Sequence, residues 1–464
     1  MSAAGILHSD EVVFYHPLDN ETEHTKGQAW TGSAGFVTGK IGSGKSGVTG
    51  TSISFASPTT DGSGLLPQGL CTVAKLSATK MCICYPSTSS VPAARIATIS
   101  GTDVTFGAEQ TFSDGYDIRR VASAALSSTT VIIGHFGTGA DHWWQCLTVS
   151  GTDITSSSTL SYNGTGWYSQ NVCALDSTTA LGFMGETGKI SLAVLTVSGG
   201  SLTMGSVNST LTDGQVVDGC VKLDSTRVVF SYKATSGSAG LARVATVSGA
   251  DVTVGSSHQF SSSFAVSNGG GDGTNGGVAH LGGGKIVILY KYGNTGRLIA
   301  GTVSGTDITF GTYKQFITWY AFGQIEALDS QKAVVIHKNM DTYPLRSRAF
   351  TITVSGTDIT EGAEVGFALE NGTTAAGQIN ALAVIDPASF FAFYTEYDLS
   401  ERRGVVGQLA VTDASLTGAA GYPSTIGDTR VVVAMWARDL TAGSSTVTAS
   451  CPTTPRLSDR SYSV

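Results

Sequence analysis

Thr148-Val149-Ser150-Gly151-Thr152-Asp153-Ile154-Thr155 decides the fold, because the phrase returns along the chain roughly every fifty residues. Its serine falls at Ser100, Ser150, Ser198, Ser248, Ser304 and Ser355, and a worn seventh copy begins at Val411-Thr412-Asp413-Ala414-Ser415. A second phrase keeps step with it, a turn such as Leu175-Asp176-Ser177-Thr178 set between two apolar runs. That turn recurs from Leu76, Leu126, Leu175, Leu223, Leu281, Leu328 and Ile385, so the chain holds seven units.

Within each unit, β-branched runs are cut by Ser-Gly, Asp-Ser and Gly-rich turns, which predicts four short strands. In the second unit these are Val121–Leu126, Val131–Phe136, Trp143–Val149 and Ile154–Leu160. A four-stranded sheet of this length has two apolar faces and cannot bury both alone, so the units must stack around a ring. The expected fold is all-β, a seven-bladed β-propeller over residues 65–420, with blades beginning near residues 70, 120, 170, 217, 275, 322 and 379.

Composition agrees with a turn-dense β protein: 59 glycines, 10 prolines and 41% hydrophobic residues in 464. Only 13% of residues are charged, so the surface must be made of Ser, Thr, Asn and Gly. The net charge of −8, with arginines paired only at Arg119-Arg120 and Arg402-Arg403, excludes a nucleic-acid partner that would need clustered cations. The first residues lack a secretory pattern, and no apolar run approaches the roughly 18 residues that span a bilayer, so no membrane insertion is expected. Seven cysteines without a regular place in the units read as free, mostly buried thiols, Cys82 and Cys84 included.

Two motifs invite chemistry and fail its requirements. Gly39-Lys40-Ile41-Gly42-Ser43-Gly44-Lys45-Ser46 matches the phosphate-loop pattern, but Gly47-Val48-Thr49-Gly50 after it cannot start the helix that such a loop needs. The repeated Asp103, Asp153, Asp251, Asp307 and Asp358 follow Ser-Gly-Thr (Ser-Gly-Ala before Asp251) between two strands, where a short polar side chain serves a turn, and the third copy has Ser201 instead. The histidines show no metal-ligand spacing, so no metal or cofactor is expected. Propeller sialidases carry a Ser-x-Asp-x-Gly-x-x-Trp box, which is missing here, and no set of catalytic residues can be nominated.

The connections are unequal. The Leu-Asp-Ser-Thr and Ser-Gly-Thr-Asp turns are short and constant, while the other two in each unit vary, and in an up-and-down blade alternate connections lie on opposite faces of the ring. The variable connections carry the unusual residues: Tyr116, Trp143, Trp144, Trp167, Tyr168, Trp319, Tyr320 and Tyr343. Aromatic rings beside Asp, Asn and Gln suit glycan binding, since the apolar face of a sugar stacks on the ring while its hydroxyls bond to amides and carboxylates. Rings that cap the blade edges are the alternative.

Outside the repeat, Val12-Val13-Phe14-Tyr15-His16-Pro17-Leu18-Asp19 and the turn from Gly39 resemble the opening of laminin-G or concanavalin-like sandwiches. Arg430-Val431-Val432-Val433-Ala434-Met435-Trp436-Ala437 resembles a further strand of the same family. The resemblance implies a sandwich-like attachment segment at 1–64, associated with a C-terminal strand and tail at 421–464. Either a neighbouring subunit completes this sandwich or the flanks form a partial sheet.

The Ser/Thr/Gly-rich surface, the sandwich-like flanks and the variable loop face together resemble bacteriophage virion proteins of the tail-fibre or head-fibre type. That resemblance implies a homo-oligomeric, non-enzymatic adhesion protein located in the virion. It would be held to other virion proteins through 1–64 and 421–464 and would recognise a host surface glycan. A propeller glycoside hydrolase or lyase and a structural decoration protein without ligand are the rival readings.

Overall fold

The computed structural model describes residues 13–15, 23–24, 52–62, 71–87, 91–112, 120–136, 141–164, 169–264, 277–318, 320–339, 346–369, 379–396, 401–410, 432–434, 446–448 and 461–463. The chain divides into two units, Thr51–Ala410 and a smaller one formed by Met1–Gly50 with Val411–Val464. The larger unit is a seven-bladed β-propeller of antiparallel sheets, and no described residue is helical.

The innermost strands are Thr72–Ser77, Arg120–Ala125, Ser169–Ala174, Gly214–Lys222, Gly277–Gly282, Tyr320–Ala327 and Ile379–Asp386. Each touches the next, and the last touches the first, so the ring closes. The observed blade starts fall within a few residues of those expected from the two repeated phrases. In blade 2 the four strands are Arg120–Ala125, Thr130–Phe136, Asp141–Ser150 and Asp153–Asn163.

The phrases do their work at one end of every blade. In the second phrase a side-chain oxygen accepts from the backbone two residues on: Asp176 from Thr178 at 2.8 Å, Asp224 from Thr226 at 2.9 Å, Asp329 from Gln331 at 2.7 Å and Ser77 from Thr79 at 3.1 Å. In the first phrase the turn rests on glycine, since Gly101, Gly151, Gly249, Gly305 and Gly356 have φ of 61 to 64°. The following aspartate closes the hairpin opposite the serine, as in Ser100↔Asp103 and Ser304↔Asp307.

One backbone bond recurs at this end in all seven blades, and in the first six it ties the two turns together. The residue before the marker position donates to the second-phrase turn, from Ile99 to Thr79, Val149 to Thr129, Val197 to Thr178, Val247 to Thr226, Val303 to Gly284, Val354 to Gln331 and Leu409 to Ala388, at 2.7–2.8 Å. Both constant turns therefore lie on one face of the ring, and the variable connections lie on the other.

The seventh blade departs from the expected boundary of residue 65. Its outer strand is Ile53–Phe55, continued by Thr59–Thr60, paired to Glu401–Leu409. The worn copy from Val411, expected to supply that strand, lies outside the described residues. The reason is visible in the pattern: Ile53-Ser54-Phe55-Ala56 repeats Val104-Thr105-Phe106-Gly107. The bond from Gly107 N to Ile96 O at 2.8 Å has its counterpart from Ala56 N to Val406 O at 3.1 Å. Joining the two ends of the repeat in one sheet satisfies an edge that would otherwise be open.

The core lies between blades. Val131, Ile133 and Leu147 pack on Cys82, Cys84 and Ile96 across blades 1 and 2, and Leu181, Phe183 and Val194 pack on Val228, Phe230 and Ala245 across blades 3 and 4. At the seventh blade, Phe55 sits 4.7 Å from Phe367 and 5.7 Å from Phe390, ring centre to ring centre. Burying aromatic surface in this way fixes each blade against the next. In the smaller unit Val13–Tyr15 pairs antiparallel with Glu23–His24 and with Val432–Ala434. The glycine motif at residues 39–46 lies outside the described residues.

Candidate functional site

Of the aromatic residues expected on the variable face, Tyr116, Trp167, Tyr168, Trp319 and Tyr343 lie outside the described residues. Tyr320 opens the inner strand of blade 6. Trp143 and Trp144 are not on a connection at all, since both lie in the third strand of blade 2, Asp141–Ser150.

Trp144 is a correction to the sequence reading. Its side chain is fully buried between blades 2 and 3, packed with Ala122, Met184 and Leu195. A Cβ on Gly134 would stand 2.3 Å from the indole and one on Gly182 2.9 Å from it, so two glycines make the slot it fills. Side chains alternate across a strand, so Trp143 faces the opposite way, towards blade 1, and it is partly exposed.

The loop-bearing ends of the blades hold a row of arginines that the aromatic reading overlooked. Arg297, Arg348 and Arg403 occupy the same place in the third strands of blades 5, 6 and 7, directly across from Tyr290, His337 and Tyr394. The Arg297 guanidinium lies 3.7 Å from the ring centre of Tyr292 and 4.1 Å from that of Tyr313. Arg348 is paired with Glu364, which also meets His337 Nε2 at 2.6 Å, and Arg403 Nη2 lies 3.2 Å from Glu401 Oε2. Burial raises the Glu364 carboxyl, and the stronger opposing pull of His337 and Arg348 holds it below its ordinary range. The signal was in the sequence, because Arg297 and Arg348 each stand seven residues before a marker serine.

Arg95 and Arg243 lie two residues further along their strands and are bound inward. Arg243 reaches Asp213 at 2.6 Å, the Tyr232 hydroxyl at 2.7 Å and the Gly255 carbonyl at 2.6 Å. Arg95 donates to the Asp61 carbonyl oxygen and sits 3.5 Å from the carboxylate. Chemically, this set is one of charge-assisted hydrogen bonds and ring faces, which suits recognition of polar, hydroxyl-bearing ligands.

Inside the ring, side chains bridge neighbouring inner strands. Lys75 Nζ donates to Ile385 O at 2.7 Å, Asn171 Nδ2 to Val217 O at 3.2 Å, and Ser123 and Thr72 share a 2.6 Å hydroxyl contact. Glu326 is exposed to the interior of the ring, where the crowding walls still push its carboxyl up to about 7, with Lys75 pulling the other way. Among the described residues no group of three His, Cys, Asp or Glu is placed to hold a metal ion. The described cysteines are free, and five of the six are buried. Cys82 and Cys84 bring their sulfurs to 3.8 Å.

No protein-family model matches the sequence, and no curated protein matches it. Among solved structures, the chain is similar to the Aleuria aurantia lectin in complex with Fucα1-6GlcNAc, at 13% identity and a TM-score of 0.43, covering 68% of this chain and 100% of that one. It is also similar to AofleA from Arthrobotrys oligospora, at 10% identity and a TM-score of 0.43 over 70% and 94% of the two chains. A protein of unknown function from Dyadobacter fermentans has 9% identity and a TM-score of 0.44 over 77% and 99%. At such values the likeness carries no information on the ligand of this chain.

Proposed function

We propose that this propeller is a carbohydrate-binding adhesion protein that recognises a glycan through its variable-loop face. The observation that supports this most is the division of the ring. One face repeats the same backbone bond in seven blades and the same pair of turns in six of them, while the connections of the other differ in length from blade to blade. Those range from the two-residue turn between Glu186 and Lys189 to the segment 262–276. A rigid scaffold with one invariant and one diversified face is the arrangement expected when the diversified face selects a ligand. Tyr116, Trp143, Trp167, Tyr168, Trp319, Tyr320 and Tyr343 are the proposed stacking residues, with Arg297, Arg348 and Arg403 along the rim. The charge-poor, Ser/Thr-rich composition and the sandwich-like ends support placing it on a virion, held by its flanking segments to other virion proteins.

Incubating the purified chain with host-type surface polysaccharide tests this directly. The expected result is retention of the protein on the polysaccharide with no change in polymer length. Shortening of the polymer would show a glycan-cleaving enzyme instead, and absence of any association would leave a decoration protein without ligand.

A further inference from the structure

Gln145 sits in the third strand of blade 2, facing blade 1, and is 2% exposed. Its Oε1 has no hydrogen-bond partner. A buried acceptor left unpaired is destabilising, so such a group calls for an explanation. Gln145 stands at the base of a groove of about 420 Å³ between blades 1 and 2, walled by Gln110, Thr111, Thr155, Ser156 and Thr159. Phe112 and Ile154 supply its apolar surface.

The same backbone position in the other blades shows what is unusual here. Counting five residues back from the marker serine, blades 1 and 4 hold Arg95 and Arg243, whose guanidinium groups are engaged by Asp61 and by Asp213 with Tyr232. Blades 3, 5 and 6 hold Ala193, Ile299 and Phe350, which are buried in the core. At blade 2 that position instead holds a buried neutral side chain whose unpaired atom borders open space. The outer strand differs as well. In blades 1 and 3 to 6 it is broken after four residues, whereas in blade 2 Asp153–Asn163 runs unbroken, with a bulge opposite Cys146 and Leu147. That continuous strand sets Thr159 directly across from Gln145.

The lining carries no charge, so it offers nothing to an anion or a cation. It offers amide and hydroxyl groups beside a small apolar patch, and the groove lies within the range of about 300–1,000 Å³ usual for small-molecule sites. That combination fits a neutral sugar ring, whose hydroxyls donate to a buried acceptor while its C–H face meets apolar surface. We infer that the groove between blades 1 and 2 is a subsite for a neutral saccharide unit, with Gln145 Oε1 accepting a hydrogen bond from a sugar hydroxyl. This site shares its ligand class with the loop-face reading but none of its residues except by continuity with Trp143, which lies on the same face of the strand.

The test uses the full chain and the methyl glycosides of glucose, galactose, mannose and N-acetylglucosamine, each at millimolar concentration, observed by saturation-transfer NMR. At least one should receive saturation from the protein. Gln145→Leu should weaken it roughly 3- to 10-fold, the loss of one hydrogen bond to a neutral acceptor, while the thermal midpoint stays level or rises. Thr159→Arg, which fills the groove, should abolish the signal. Methyl glucuronide and inorganic phosphate should not compete. The proposal is overturned if no glycoside binds, or if binding survives both groove variants. Replacing Trp167 and Trp319 together by Ala should leave this binding intact. If that pair alone abolishes it, the groove is wrong and the loop face stands; if polysaccharide retention ignores that pair but fails in Thr159→Arg, the loop face is wrong and the groove stands.

Discussion

Arg402 and Asp61 meet across the closure of the ring, Nε to Oδ2 at 2.9 Å, with side chains 1% and 0% exposed. Asp61 follows the outer strand of blade 7, and its backbone N–H also donates to Arg402 O at 3.0 Å. Arg402 then reaches into blade 1, with Nη2 3.3 Å from Glu109 and its guanidinium 4.2 Å from the ring centre of Tyr85, whose hydroxyl donates to Glu109 at 2.7 Å. One arginine therefore holds the first strand of the repeat, the last blade and the first blade together.

Removing Arg402 leaves the Asp61 carboxylate buried without its closest cation. Arg402→Met is expected to destabilise the propeller by about 3–5 kcal/mol, measured as a lower midpoint in urea. A variant that also replaces Asp61 by Leu should recover part of the loss. If Arg402→Met alone melts like the wild type, the closure does not depend on this cluster.

Trp144→Ala should cost about 3–5 kcal/mol, because it empties a slot that the surrounding blades cannot collapse into. Gly182→Ala should destabilise too, since the added methyl meets the indole at 2.9 Å and Leu195 at 3.1 Å. Neither change should alter glycan adhesion at temperatures where the variant is folded. Lost adhesion at unchanged stability would return Trp144 to the binding surface.

Acid should weaken the fold through His142. Burial lowers this imidazole to about 4 from an ordinary 6.5, with Glu186 opposing. Between those values the unfolded chain holds the extra proton, so stability is full above pH 6.5, falls as pH is lowered towards 4, and is flat below. Asp224, which hydrogen bonds from Thr226 and Arg227 hold at about 2 against the effect of burial, loses its stabilisation below the usual carboxylate range. Glu326 has the reverse slope, so the contribution of His142 is read as the difference between the wild type and His142→Gln. Parallel melting curves from pH 7 to 4 would show that the imidazole is not the sensor.

Replacing Trp167 and Trp319 by Ala should weaken binding to cells or polysaccharide by about 1–3 kcal/mol, the range for lost aromatic anchors, with the thermal midpoint barely moved. A lower midpoint with unchanged adhesion would identify both rings as packing residues.

Much of the ring was legible because its phrases are local. A turn needs a particular glycine or side-chain oxygen at a fixed place, and Gly101, Asp176 and their repeats wrote the blade boundaries into the chain. Ile53-Ser54-Phe55-Ala56 escaped notice because the phrase that precedes every other outer strand is missing there; the strand arrives from the opposite end of the repeat and needs no turn. The arginine row was equally periodic, but periodicity does not say which neighbour a long side chain will meet.

The sequence by itself determined strand content, blade number and which turns share a face, since these follow from short-range backbone chemistry repeated seven times. Tertiary structure alone decided which strand closes the ring, that Trp144 faces a glycine slot while Trp143 faces blade 1, and that Gln145 meets open space where Arg95 and Arg243 meet acids. Those outcomes depend on what an adjacent blade presents, and adjacent blades contribute surfaces whose fit no single repeat contains.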